Sequence, residues 1–316
     1  MEHHHHHHVH PTPDMQKLNR SFIVGIVLNI VFVLAEAGAG FYYDSLALLS
    51  DAGHNLSDVV SLVLAMFALR LSMAKPSLQY TYGYKKSTVL VSLLNAAILF
   101  VAVAVILYES VEKFSNPTPL DGGAIAWGAA IGIVINAFTA YLFFADKSKD
   151  LNVKGAYLHM AADTLVSVGV LVSGIVIKYT GWNVIDPIIG IVVGLVILYS
   201  TWHLLQESLR LALDGVPEGI DVQKVETVLS SDPDVLNVHH LHIWAISTTQ
   251  TALTAHIVVK DITHMHEVKH RLKHDLQDLG IEHATLELEL KEEHCDGHCD
   301  CCEEQQGCDS DTQPYL

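Results

Sequence analysis

Charge is scarce in this chain. Asp, Glu, Lys and Arg make up 17% of its 316 residues, against about 25% in an ordinary soluble domain. Half of the residues are hydrophobic and the mean hydropathy is +0.32. Disorder and an ordinary cytosolic enzyme are both excluded by that balance. Basic residues are scarcer still, 18 Lys and Arg against 35 Asp and Glu, for a net charge of −17. A basic surface for nucleic acid is therefore excluded. Cysteine is missing from the body of the protein: all five lie in the last 22 residues, so no disulfide framework staples the fold. A GxxxxGK[ST] loop is missing too, and the polar tail is too short for a nucleotide domain, which argues against an ATP-driven pump.

Long apolar runs fill the space that charge leaves. A bilayer core of about 30 Å needs about 20 apolar residues in a helix. Six stretches meet this, at 21–43, 46–69, 88–109, 122–145, 155–178 and 184–206. The first is too long, and too closely followed by the others, to be a removable signal peptide. Lys and Arg in the short connectors set the orientation. One side carries Lys17, Arg20, Arg70, Lys75, Lys85, Lys86, Lys147, Lys149 and Lys154; the other carries only Lys113 and Lys178. The crowded side is expected to be cytoplasmic, with both termini on it.

The composition changes near Glu207, and Asp214-Gly215-Val216-Pro217 reads as a linker. Asp221–Ser230 reads as a helix, Val235–Ser247 and Thr251–Lys260 as strands, His264–Leu279 as a helix and Thr285–Leu290 as a last strand. The expected architecture is an all-α six-helix transmembrane domain over 21–206 and a small α+β domain (α-β-β-α-β) over 207–290. A His-rich segment, 1–20, precedes them, and an acidic Cys/His-rich tail, 291–316, follows, expected to be disordered without metal.

Ionisable residues inside a span are costly and usually functional. The second span holds Asp51, His54 and Asp58; the fifth holds His159 and Asp163. His54 and Asp58 are four apart, as are His159 and Asp163, so each pair shares one helix face. Facing each other, the pairs offer two imidazoles and two carboxylates, a set that suits tetrahedral Zn²⁺. The competing reading is two unrelated pairs, each satisfied within its own helix. Glu36, a lone carboxylate in the first span, is a candidate for passing protons. Asn29, Asn95 and Asn136 are expected simply to hydrogen-bond between helices.

The run Ser45-Leu46-Ala47-Leu48-Leu49-Ser50-Asp51-Ala52-Gly53-His54-Asn55-Leu56-Ser57-Asp58 resembles the second-span signature of the cation diffusion facilitator family. His159-Met160-Ala161-Ala162-Asp163 and Val238-His239-His240-Leu241-His242-Ile243-Trp244 are similar to further motifs of that family. The resemblance covers about residues 15–290. It implies a homodimeric exporter of divalent metal in the cytoplasmic (inner) membrane, driven by proton antiport, with a metallochaperone-like cytoplasmic domain. His-Asp on both spans resembles the zinc-selective branch, and imidazole suits Zn²⁺ where all-oxygen sites suit Mn²⁺ or Mg²⁺. Co²⁺ and Cd²⁺ stay open as further cargo. The connector Asp146–Asn152 holds no histidine cluster, which favours the bacterial heavy-metal-resistance branch.

The resemblance also implies sites outside the spans. A cytoplasmic zinc site, with Zn²⁺ as a regulatory ligand, falls on His239 or His240, then His256, Glu287 and Glu289; the last two depart from the family's His/Asp pair. A second metal bound by some relatives between spans two and three falls here around Ser77, Tyr80 and Tyr84, poor ligands that imply its absence. A charge interlock falls on Lys86 and Asp214. By residue type alone, His264, His266, His270 and His274 read as a solvated helix face and Trp244 as an anchor. His294, Cys295, His298, Cys299, Cys301 and Cys302 suit thiolate and imidazole capture of metal in a reducing cytosol. His3 to His8 and His10 are either native or a purification tag. A membrane-bound metal sensor or storage protein without transport is the alternative function; a quartet at membrane depth argues against it, since a sensor could keep its ligands in water.

Overall fold

A computed structural model describes residues 15–42, 46–115, 124–182 and 184–291; the side chains of a few helix positions, His54 among them, lie outside the described set. The N-terminal His run and the tail ligands His294, Cys295, His298, Cys299, Cys301 and Cys302 lie outside it as well.

Six long helices come first: α1 (Met15–Tyr42), α2 (Leu46–Ser72), α3 (Ser87–Ser115), α4 (Ala124–Phe144), α5 (Leu151–Thr180) and α6 (Ile185–Ala212). Then follow α7 (Val222–Ser230), β1 (Val235–Ala245), β2 (Thr251–Val259), a short 3-10 turn, α8 (Met265–Asp278) and β3 (His283–Leu290). Among the described residues three helices, α1, α3 and α6, are each long and apolar enough to cross a bilayer, and Ala130–Phe144 of α4 is a shorter apolar stretch. Helices α2 and α5 are the ones that carry the polar cluster of the spans. Helix α6 runs past the expected end of its apolar stretch to Ala212, and buried Leu211 continues the line of buried Leu204.

The first compact unit takes in the described residues up to 220, with 243–252 and 280–283. Its apolar core includes three groups. Leu18, Phe22, Leu62, Phe143 and Met160 unite α1, α2, α4 and α5. Val89, Leu151, Leu204 and Leu211 unite the ends of α3, α5 and α6, with Ala245 of β1. Leu99, Val103, Ala162, Val193 and Ile197 unite α3, α5 and α6. Helix α5 belongs to all three. The broadest helix pairing is α3 with α6, and small residues make it possible. Gly190 and Gly194 lie one turn apart on α6, and a Cβ at Gly194 would meet Leu107 Cδ2 at 2.6 Å and Cγ at 3.0 Å. Within a membrane such notches let packing contacts replace a hydrophobic driving force.

The second unit takes in residues 221–242, 253–279 and the described residues from 284 on. The strands form one three-stranded sheet in the order β1-β2-β3. Asp221 caps α7, its side chain accepting from the Gln223 and Lys224 amides, which is why the helix starts there. Val225 and Leu229 of α7 and Val268, Leu272 and Leu276 of α8 are buried, each set at helical spacing. Arg271 of α8 donates to Asp232 at 2.8 and 3.0 Å and to Asp234 at 2.7 Å, clamping the turn before β1. The guanidinium holds the Asp232 carboxyl below the usual range.

Overpacking a close helix contact costs about 1–3 kcal/mol. Gly194→Val is therefore expected to lower the Tm of the detergent-solubilised protein by several degrees, whereas Gly38→Ala, with nothing near its Cβ, leaves it unchanged. Equal Tm values for the two variants would show that α3 and α6 do not meet through this notch.

Candidate metal centre

The site begins with how α5 is anchored. Asp150 sits just before the helix, and its Oδ1 accepts from the amides of Asn152 (2.7 Å) and Val153 (3.2 Å). Thr248 Oγ1 donates to its other oxygen. Burial outweighs these bonds and pushes the Asp150 carboxyl up. Asn152 Nδ2 donates to Thr88 O at 3.1 Å, tying the first turn of α5 to the start of α3. Lys154 pairs with Glu207 of α6 at 2.6 Å.

Two turns further on, α5 presents His159 and Asp163 to α2. His159 Nε2 lies 2.7 Å from Asp58 Oδ1 and 4.0 Å from Asp163 Oδ2. The side chains of His159, Asp58 and Asp163 are 9%, 0% and 13% exposed in that order. One ligand atom from each lies within 4.8 Å of the others. His54 is one helical turn before Asp58 on α2, and its side chain is outside the described set. Three of the four residues expected to form the quartet thus meet across two helices, which argues against two self-satisfied pairs. An imidazole with two carboxylates is a nitrogen-and-oxygen donor set that a borderline divalent ion accepts.

Buried polar residues flank this cluster. Asn55 Nδ2, also on α2, donates to Glu36 Oε2 of α1 at 2.8 Å. Asn29 Nδ2 donates to Gly25 O at 2.8 Å and reaches Thr139 Oγ1 of α4 at 3.4 Å. Asn29 therefore joins helices, and Glu36 is held to the helix that carries Asp58.

In the second unit, all five expected residues converge. The rings of His239, His240 and His256 lie 4.9–5.2 Å apart. Glu289 contacts His256 Nδ1 and lies 3.4 Å from His239 Nε2; Glu287 lies 3.5 Å from His256 Nε2. His240 adopts φ +49° within β1, a left-handed conformation that turns its side chain out of the strand's alternation. Burial, then the neighbouring imidazoles, hold His240 below the usual histidine range. A neutral imidazole keeps its lone pair for a metal. His264, just before α8, and His274, on it, are about half exposed and face Glu267 (3.6 Å) and Asp278 (3.7 Å), as a solvated face would. Ser77 and Tyr80 close a turn on each other, Ser77 N to Tyr80 O at 3.0 Å.

The end of α6 explains Lys86 and Asp214. Gly215 N donates to Arg210 O at 2.8 Å, and Asp214 takes φ +58°, so the helix closes in a Schellman turn with Asp where Gly is usual. Lys86 Nζ donates to Asp214 Oδ1 (2.6 Å), to the free helix-end carbonyl of Leu211 (2.9 Å) and to Ala245 O (3.0 Å). One residue group had no signal in the sequence. His203 and Glu207 of α6 stand against Glu218, eleven residues downstream across a linker, and only the fold brings them within ligand distance.

The chain matches the cation efflux transmembrane domain over residues 22–211 and the cytoplasmic domain of cation efflux proteins over 217–290. It belongs to the cation efflux family, the cation diffusion facilitators. It is thereby a membrane transporter of metal cations and not an enzyme. It is 34% identical over 284 residues to a protein of Bacillus subtilis named cadmium, cobalt and zinc/H(+)-K(+) antiporter, covering 88% of this chain and 91% of that one. It is 36% identical over 273 residues to the metal cation efflux system protein CzcD of Cupriavidus metallidurans, covering 86% of each. It is 34% identical over 267 residues to the zinc transporter ZitB of Escherichia coli, covering 83% of this chain and 85% of that one.

The exposed ion pair of Lys86 and Asp214 is worth at most about 1 kcal/mol. Two carbonyls stripped of their donor cost more. Lys86→Ala is thus expected to lower the Tm more than Asp214→Gly, which removes the carboxylate but relaxes the left-handed turn. Reversing both charges should not restore stability, because an Asp at position 86 cannot donate to Leu211 O or Ala245 O. Full recovery in that double variant would show that the ion pair itself carries most of the stabilisation.

Proposed function

We propose that the protein exports Zn²⁺ from the cytoplasm in exchange for protons, with Co²⁺ and Cd²⁺ as further cargo. The observation that carries this reading is the contact between Asp58 of α2 and His159 of α5 at 2.7 Å, with Asp163 beside it. His54 completes the quartet. The names of the relatives in Bacillus subtilis and Escherichia coli support zinc as cargo and a proton counter-ion. All six long helices are spans, both termini are cytoplasmic, the membrane is the inner membrane, and the working unit is a homodimer. The domains follow the composition, with spans over 21–206, a cytoplasmic domain over 207–290, and His-rich and Cys-rich ends that load metal. Zn²⁺ at His239, His240, His256, Glu287 and Glu289 regulates the carrier. Lys86 and Asp214 brace the end of α6.

Exchange follows from competition for lone pairs. Histidine changes charge near pH 6.5. A proton on an imidazole nitrogen removes the pair that would bind Zn²⁺, so affinity falls as pH falls. Asp58 and Asp163 supply the negative charge that makes a divalent ion tolerable at low dielectric. A proton arriving from the acidic outer side expels the ion and resets the carrier.

Vesicles reconstituted with the protein, given an imposed pH gradient and a panel of metals, test the reading. Zinc should accumulate only with the gradient, and Asp58→Ala or Asp163→Ala should reduce its flux by at least about 10–100-fold. Metal binding without flux would favour a sensor or store, for which no observation in the spans speaks. His54→Asp exchanges nitrogen for oxygen and should shift the panel toward Cd²⁺ or Mn²⁺. Zinc affinity of a chain lacking the His- and Cys-rich ends should fall about 10-fold or more from about pH 7.5 to about pH 5.5. An affinity independent of pH would rule out proton exchange at this site.

A further inference from the structure

We infer that His203, Glu207 and Glu218 form a separate divalent-cation site, in which the ammonium of Lys154 competes with the ion for Glu207. His203 and Glu207 are four apart on α6 and share a face. Glu218 is delivered by a β-turn. Ile220 N donates to Pro217 O at 3.2 Å, and Gly219 takes φ +96°, the backbone a type II turn needs at its third residue. Glu218 is the second residue of that turn, and the Schellman closure after α6 folds the linker back so that the turn meets the helix. His203 Nε2 lies 3.4 Å from Glu218 Oε2. That separation is what two ligands at about 2.0–2.2 Å from one tetrahedral ion would have. One ligand atom from each of the three residues lies within 4.8 Å of the others.

A second observation points to a cation. Lys154 Nζ already lies 2.6 Å from Glu207 Oε2. The group faces a cavity of about 890 Å³, which Trp202 also lines, so an ion and its remaining waters have room and an entry path. His203 and Glu218 are each 51% exposed, which suits a site that loads and empties readily. Lys154 stands on α5, the helix of His159 and Asp163, so an arriving ion releases that helix from its tie to α6. The donor set of one imidazole and two carboxylates accepts Zn²⁺ or Co²⁺ and disfavours Cu⁺. None of these residues belongs to the Asp58–His159–Asp163 cluster, and binding here does not depend on transport.

Co²⁺ is a suitable probe because it quenches a nearby indole. In the full chain with Trp127, Trp182 and Trp244 changed to Phe, Trp202 fluorescence should fall as Co²⁺ is added. His203→Ala and Glu218→Gln should each raise the half-quenching concentration at least about 10-fold. Lys154→Gln removes the resident cation and should lower it several-fold. Equilibrium dialysis of the otherwise native chain should find one fewer Co²⁺ per chain in Glu218→Gln, and both residues are exposed enough for their substitution to leave the fold intact. Quenching unchanged by His203→Ala, unaltered or weakened by Lys154→Gln, or an unchanged number of bound ions would each overturn the site.

Discussion

A carboxylate buried among apolar side chains is tolerated only when something nearby answers it. The contact between Asp58 and His159 meets that demand across two helices. Rotating α2 against α5 would break the 2.7 Å contact between Asp58 and His159. Phe22, Leu62, Phe143 and Met160 close the same face with apolar bulk, so the polar cluster is framed by residues that contribute no donors of their own. The cost of burying the cluster is the reason it is informative. Nothing in packing alone would retain three ionisable groups there.

Charge at the helix ends has a different role. Lys149, then Lys17, hold the Asp146 carboxyl below its usual range, pinning the close of α4 to the start of α1. Lys86 donates to the Leu211 carbonyl at the end of α6, and Asp150 accepts from the first amides of α5. Thr248, in the turn between β1 and β2, donates its amide to Thr88 Oγ1 at 3.1 Å and its hydroxyl to Asp150. The tip of that hairpin therefore touches the starts of α3 and α5 together. Each of these contacts joins an orphan backbone group or a lone charge to a partner, in most cases one far away in the chain.

Much of this was legible in the sequence. Six apolar runs marked the six helices because length and hydropathy are local properties. The spacing of His159 and Asp163 fixed a common face, and the strand motif around His239 and His240 announced a cluster. Three things were not legible. The hairpin tip 243–252 groups with the long helices, although in sequence it lies within the stretch 207–290 expected to form the small α+β domain. Glu218 meets His203 only because a closed helix end and a turn fold the linker back. His240 leaves the strand's alternation through a left-handed backbone that no sequence pattern near it requires. Each depends on tertiary geometry, which local periodicity does not encode.

Helix α5 is a shared wall between the three apolar groups of the first unit. Its faces are committed to different neighbours, and one of them carries ligands. A change in its side chains is felt by more than one group at once. In a mutational screen α5 would yield variants in which loss of folding and loss of cargo handling arrive together. Variants that separate the two would be found instead on α1 and α4, whose core residues answer to a single apolar group.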